Sequence, residues 1–127
     1  MIDHVGIPVR NLAQARAFYL QALAPLGIGV IMEVTKEQTG GREATGFGAN
    51  GKPFFWISDG AAAGPLHIAL VADSRRQVDA FYEAALQAGG KDHGAPGVRA
   101  HYHPDYYGAF VIDPNGVNLE AVCHKPA

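Results

Sequence analysis

Apolar residues in this chain first alternate, then recur every three to four positions, then alternate again, and the whole pattern is written twice. Alternation is the signature of a half-buried strand, and a recurrence at three and four that of an amphipathic helix. Ile2 to Val9 reads as a strand, with Val5, Ile7 and Val9 on one face and His4, Gly6 and Pro8 on the other. Asn11 then caps a helix, and Gln14 completes a capping box. Leu12, Ala15, Phe18, Tyr19, Ala22, Leu23 and Leu26 form its apolar stripe, and Pro25 and Gly27 end it. Strands are expected over 28–36, 42–48 and 53–58, the last two joined by an Asn50-Gly51 hairpin turn.

Asp59 to Pro65 (DGAAAGP) is a linker of small residues, after which the pattern restarts. Leu66 to Asp73 is a strand whose apolar face is Leu66, Ile68 and Leu70, with His67, Ala69 and Val71 opposite. Ser74 and Gln77 open a second helix with a stripe of Val78, Phe81, Tyr82, Ala85 and Leu86, closed by Gly89-Gly90. Strands near 91–99, 107–113 and 117–123 follow, the last entered through a type-I′-like Asn115-Gly116 turn. At an offset of 63, His4 meets His67, Asn11 meets Ser74, and Phe18-Tyr19 meets Phe81-Tyr82. At an offset of 65, Asn50-Gly51 meets Asn115-Gly116, and Phe55 meets Glu120. The expected fold is therefore α+β, a βαβββ module written twice in one domain spanning 1–127. Module 1 covers about 1–58, the linker 59–65 and module 2 about 66–124. The two sheets would curve into a partly open β-barrel around one cleft.

Composition narrows the classes. The 127 residues are 48% hydrophobic and 17% charged, ordinary for a globular protein with one core. A formal charge of −2 gives no basic footprint for nucleic acid or an anionic membrane. No apolar run approaches a membrane span, and the N-terminus lacks the pattern of a secretory signal. The lone Cys123 excludes an intrachain disulfide and reads as a buried thiol; together these features point to the cytoplasm.

The chemistry lies in the residues that break the apolar pattern. Glu120 is a carboxylate inside an otherwise apolar strand, where burial without a partner is costly. By alternation it shares a face with Asn118 and Val122, while Leu119 and Ala121 lie under the helix. His4, His67 and Glu120 then all fall on the side away from the helices. Two imidazoles and a carboxylate suit a divalent transition metal (Zn, Mn, Fe, Ni or Co) with positions left open for an oxygen-bearing small molecule. A lone histidine is more often a satisfied surface residue, but the matched repeat positions favour the joint site. By the same parity Phe55 lines the cleft and Trp56 packs under a helix. The loop Arg99-Ala100-His101-Tyr102-His103-Pro104-Asp105-Tyr106-Tyr107 offers stacking surface and proton donors. There His101 and Tyr106 are candidates to move a proton, and Tyr102, His103 and Tyr107 to contact substrate. A loop that merely covers the cleft or makes a dimer contact accounts for the same residues.

The motifs Ile2-Asp3-His4-Val5-Gly6-Ile7, Arg16-Ala17-Phe18-Tyr19, His67-Ile68-Ala69 and Asp113-Pro114-Asn115-Gly116-Val117-Asn118-Leu119-Glu120 resemble those of the vicinal oxygen chelate superfamily. That superfamily includes glyoxalase I, fosfomycin-resistance proteins, extradiol dioxygenases, methylmalonyl-CoA epimerase and bleomycin-resistance proteins. The resemblance spans the whole chain and implies that His4, His67 and Glu120 stand at metal-ligand positions. It also implies a homodimer and an isomerase, lyase or thiol-transfer reaction. Two departures bear on the activity. Glyoxalase I carries a second glutamate at the position assigned here to Phe55, and dioxygenases a tyrosine about where Phe110 stands. A metal-free binding protein of the bleomycin-resistance type is the competing expectation, because it needs only an aromatic cleft.

Overall fold

The computed structural model describes residues 1–127. Strand β1 (Val5–Val9) leads into helix α1 (Leu12–Leu23), followed by a short 3-10 turn at Ala24–Leu26. Strand β2 (Gly29–Val34), helix α2 (Lys36–Thr39), β3 (Ala44–Ala49) and β4 (Lys52–Asp59) complete the first half. The second half repeats the order with β5 (His67–Val71), α3 (Arg75–Gln87), β6 (Lys91–Val98), β7 (Tyr107–Ile112) and β8 (Asn118–Cys123). The strands form two four-stranded sheets, ordered β1-β4-β3-β2 and β5-β8-β7-β6. In each sheet the first strand runs parallel to the last and the other pairs are antiparallel. The two βαβββ modules and the α+β class are as expected, and the sheets stay separate rather than closing into a barrel.

Local chemistry explains the element ends. Asn11 Oδ1 accepts a 3.0 Å hydrogen bond from the Gln14 amide, and Ser74 Oγ one of 3.2 Å from Gln77. Helix α2 falls at the end of the expected strand 28–36 and in the gap before 42–48, where the sequence pattern assigned no element. Thr35 and Gln38 form a full capping box there, and Gly40 ends the turn in a left-handed conformation. The two Asn-Gly turns also differ. Asn50 and Gly51 both have positive φ, as a type I′ hairpin requires. At the second turn only Gly116 does. Pro114 occupies the second position, and the Gly116 amide donates to the Asp113 carbonyl at 3.1 Å, the pattern of a type I turn.

Helices α1 and α3 pack on each other, and each covers the inner face of a sheet. One apolar cluster of 23 buried residues runs through both halves, from Ile7 and Phe18 to Phe81 and Leu119. Burying it removes from water most of the large side chains on both helical stripes, at about 25 cal/mol for each Å² of apolar surface. The halves are also joined by polar bonds. Tyr19 on α1 donates its phenolic proton to Asp113 in the β7–β8 turn. The Asp113 carboxylate further accepts the amides of Asn115 and Val117, each at 2.8 Å. Arg10 donates to the Asn115 side chain at 3.2 Å and to the Pro114 carbonyl at 3.3 Å.

Strand pairing decides which residues face out. Val5 lies opposite Phe55 and Gly6 opposite Trp56. Phe55 therefore shares the inner face of Ile7 and is fully buried, its ring 4.9 Å from that of Tyr19. Trp56 lies on the outer face, over Gly46, where an added Cβ would come within 2.9 Å of the indole. Both expectations for this dipeptide are thus reversed: Phe55 belongs to the core and Trp56 to the open face. The physical reason is a one-residue shift in the repeat. Gly6 pairs with Trp56, and its repeat mate Ala69 pairs with Glu120, so the counterpart of Glu120 is Trp56.

Candidate metal centre

Glu120 stands in the middle of β8 with only 1% of its surface exposed. Its neighbours across the sheet are Ala69 on β5 and Phe110 on β7. Both carboxylate oxygens are engaged. His67 Nε2 lies 2.8 Å from Oε1, and the Tyr106 hydroxyl donates to Oε2. A buried carboxylate is costly unless paired and hydrogen-bonded, and these two partners meet that need. Burial, and then the bond to Glu120 and its negative charge, push the Tyr106 phenol well above the usual tyrosine range. Tyr106 therefore stays a proton donor at neutral pH.

The space that permits this contact comes from Gly108 on β7. A Cβ there would lie 3.1 Å from both Glu120 Oε2 and the Tyr106 ring. Phe110 forms the next part of the wall, its ring 6.1 Å from that of His67. Arg99 lies over the Phe110 ring, with Cζ 5.5 Å from the ring centre. Phe110, Arg99 and Gly108 were not singled out as site residues from the sequence. The signal that finds Phe110 and Gly108 is the pairing of β7 on β8, which sets Phe110 opposite Glu120 and Gly108 two residues away on the same face, whereas Arg99 lies just beyond β6 and is brought in by the fold.

The expected site residues divide by side of the sheet. His67, Glu120 and Tyr106 converge. Tyr102 stacks edge-on against Tyr106 at 5.0 Å, and His101 lies against Tyr102 at 4.1 Å, so His101 is two rings removed from the carboxylate. His103 Nδ1 accepts the Asp105 amide at 3.1 Å and its ring meets His124 at 5.8 Å, further along the loop. Tyr107 turns to the opposite face, where its hydroxyl donates to Asp79 of α3 at 2.6 Å and its ring lies under Arg75. A substrate role for Tyr107 beside Glu120 is thus excluded by strand alternation. Phe55 is fully buried in the other half, beneath the groove that His67 also lines.

His4 lies apart from the pair. It is exposed just before β1 and its Nδ1 is 2.7 Å from Asp3 Oδ1. Asp3 also binds Lys52 at 2.7 Å, and these contacts hold the Asp3 carboxyl below the usual range. No three His, Cys, Asp or Glu side chains of one chain come together as a metal cage. Two donors do. Ligands each roughly 2.1 Å from an ion and at right angles stand about 3 Å apart, close to the spacing of His67 Nε2 and Glu120 Oε1. By that spacing the pair could offer two donors to a divalent ion.

Comparison with known proteins agrees with this architecture. A family model described as the Glyoxalase/Bleomycin resistance protein/Dioxygenase superfamily matches residues 1–121. A glyoxalase/bleomycin resistance protein from Albidiferax ferrireducens is 27% identical, with a TM-score of 0.76 and 99% of each chain covered. The fosfomycin resistance protein FosX from Listeria monocytogenes, as a variant complexed with Mn(II) and 1S,2S-dihydroxypropylphosphonic acid, has a similar fold. It is 16% identical with a TM-score of 0.68, over 96% of this chain and 88% of that one. A glyoxalase I variant from Zea mays is 17% identical with a TM-score of 0.72; this chain is covered to 99% and spans 45% of that one. No curated protein matches the sequence. With nearly its whole length matched, the chain belongs to the glyoxalase/bleomycin resistance protein/dioxygenase superfamily.

Proposed function

We propose that this protein is a metal-dependent, glyoxalase-like enzyme acting on an oxygen-bearing small molecule, in an isomerase, lyase or thiol-transfer reaction. The observation that carries the reading is the buried Glu120, held between His67 and Tyr106 on the open face of the second sheet. His67 and Glu120 would supply two ligands to a divalent transition metal, and His4 of a second copy of the chain the third. A second copy is favoured because each helix covers the inner face of its own sheet, which turns the open faces of the two sheets away from each other. Strands β1 and β5 are both free edges, and an apolar groove of about 750 Å³ runs between them. Ile2 and Val71, at its rim, are 84% and 76% exposed. Edge-to-edge pairing of β1 with the β5 of another copy would cover this surface and bring His4 to the His67–Glu120 pair.

When bound, the metal supplies Lewis acidity to a substrate oxygen. The chain's own groups do the rest. Tyr106, kept protonated, donates to Glu120 and can donate to an oxygen that gains negative charge beside it. His67, more exposed than Glu120, would present Nε2 to the metal beside the carboxylate. Phe110 and Tyr102 flank the face as aromatic walls. Trp56, at the module-1 position equivalent to Glu120, cannot ligate or act as a base, which argues against a glyoxalase I reaction.

Metal analysis by inductively coupled plasma mass spectrometry tests the reading. Wild-type protein purified without chelator is expected to hold about one transition metal per chain. Glu120→Gln and His67→Ala are expected to lose it while keeping their melting transitions. Wild type free of metal after reconstitution with Fe, Mn, Ni, Co and Zn salts would sink the proposal. A metal-free binding protein is the second reading, favoured by the exposed aromatic loop with Tyr102 at 61% exposure. It predicts ligand affinity insensitive to EDTA and to His67→Ala.

A further inference from the structure

Arg99 is half-buried on the same face as Glu120, and no carboxylate pairs with it, unlike Arg16, which bonds Glu33 at 2.7 Å. Its guanidinium makes one hydrogen bond, from Nη2 to the Ala95 carbonyl at 2.8 Å, which leaves Nε and Nη1 without a protein acceptor. The group is nevertheless fixed in place. Its Cζ lies over the Phe110 ring, 5.5 Å from the centre, and its backbone amide bonds the Tyr106 carbonyl at 2.7 Å. Strand β6 carries glycine at its two positions beside the guanidinium, 94 and 97. A Cβ at Gly97 would lie 2.9 Å from Nη1. One at Gly94 would lie 3.3 Å from Nη2 and 2.9 Å from Phe110. An unpaired, ordered guanidinium beside a functional face is a fork that lacks its oxyanion.

We infer that Arg99 binds an acidic group of the substrate, a carboxylate or phosphonate, and so restricts the site to small organic acids. The inference deepens the reading of the Glu120 face as the substrate site, but it does not depend on a metal. Arg99 would hold the acid group over Phe110, directing the rest of the molecule towards His67 and Glu120. Orientation by a two-pronged cation is a specificity device, because a neutral analogue leaves the guanidinium desolvated and unpaired.

The test compares benzoate, phenylphosphonate and benzamide, which share a ring able to stack on the aromatic wall and differ in charge. Binding to the full chain is followed by isothermal titration and by amide chemical shifts, with melting temperature as the check on folding. At least one of the two acids is expected to bind wild type more tightly than benzamide. Arg99→Gln is expected to weaken that acid about tenfold or more and to leave benzamide unchanged, while Arg99→Lys retains part of the affinity. The order of the two acids tells a planar carboxylate from a tetrahedral phosphonate. Equal binding of acids and amide, or acid affinity unchanged in Arg99→Gln, overturns the inference. Loss of metal binding in the same preparations would count against the enzyme reading alone, because these probes need no metal.

Discussion

Tyr106 and Glu120 depend on each other. The phenol satisfies one oxygen of a carboxylate that has almost no access to water, and the carboxylate keeps the phenol protonated. A tyrosine whose pKa is raised in the folded state binds its proton more tightly there than when unfolded. Its contribution to stability is complete below about pH 10, the unfolded value, and is lost as pH rises towards the higher folded one. Tyr106→Phe is thus expected to flatten the alkaline fall in melting temperature between about pH 10 and 12. A wild-type melting curve with no alkaline decline would contradict this account of the pair. Gly108 matters at the same scale. Its lack of a side chain is legible in the sequence, but that the missing atom would crowd Glu120 and Tyr106 is not.

At the scale of elements, the turn between β7 and β8 does two things. It sets the register that puts Glu120 on the open face, and it bolts the second module to α1 of the first through Tyr19 and Asp113. Burial, and then the Asp113 charge, raise the Tyr19 phenol well above its ordinary range, so it too remains a donor. Tyr19→Phe leaves a buried carboxylate short of one donor while two backbone amides still hold it. The expected loss is about 1–2 kcal/mol by chemical denaturation, with the slope of the transition unchanged. The caps of α1 and α3 and the apolar stripes were readable because they depend on residues within one turn of each other. Helix α2 carries an equally local signal in Thr35 and Gln38, but the preceding run of apolar residues masks it. The assignment of Phe55 and Trp56 could not be local. A shift of one residue exchanges the two faces of a strand, and only the pairing of Gly6 with Trp56 fixes it.

For the whole molecule, the question is how the three residues proposed as ligands would meet when a single chain brings only His67 and Glu120 together. If His4 serves a second copy, the protein should sediment as a dimer at micromolar concentration. Chains carrying His4→Ala and His67→Ala should each lack metal alone. Mixed dimers should recover about half the wild-type content, since one of their two sites keeps all its ligands. No recovery on mixing would place His4 outside the centre. The sequence by itself determined the doubled βαβββ order, the helix stripes, the family motifs and the pairing of a histidine with a carboxylate on one face. Those features rest on periods of two and 3.6 residues and on short spacings, which any chain segment carries with it. Only the tertiary structure decided that Trp56 is the repeat mate of Glu120, that Tyr107 looks away from it and that His4 stands apart. Only it decided that Arg99 lies unpaired over Phe110. These outcomes depend on strand register and on the packing of α1 against α3, where residues far apart in sequence compete for the same space.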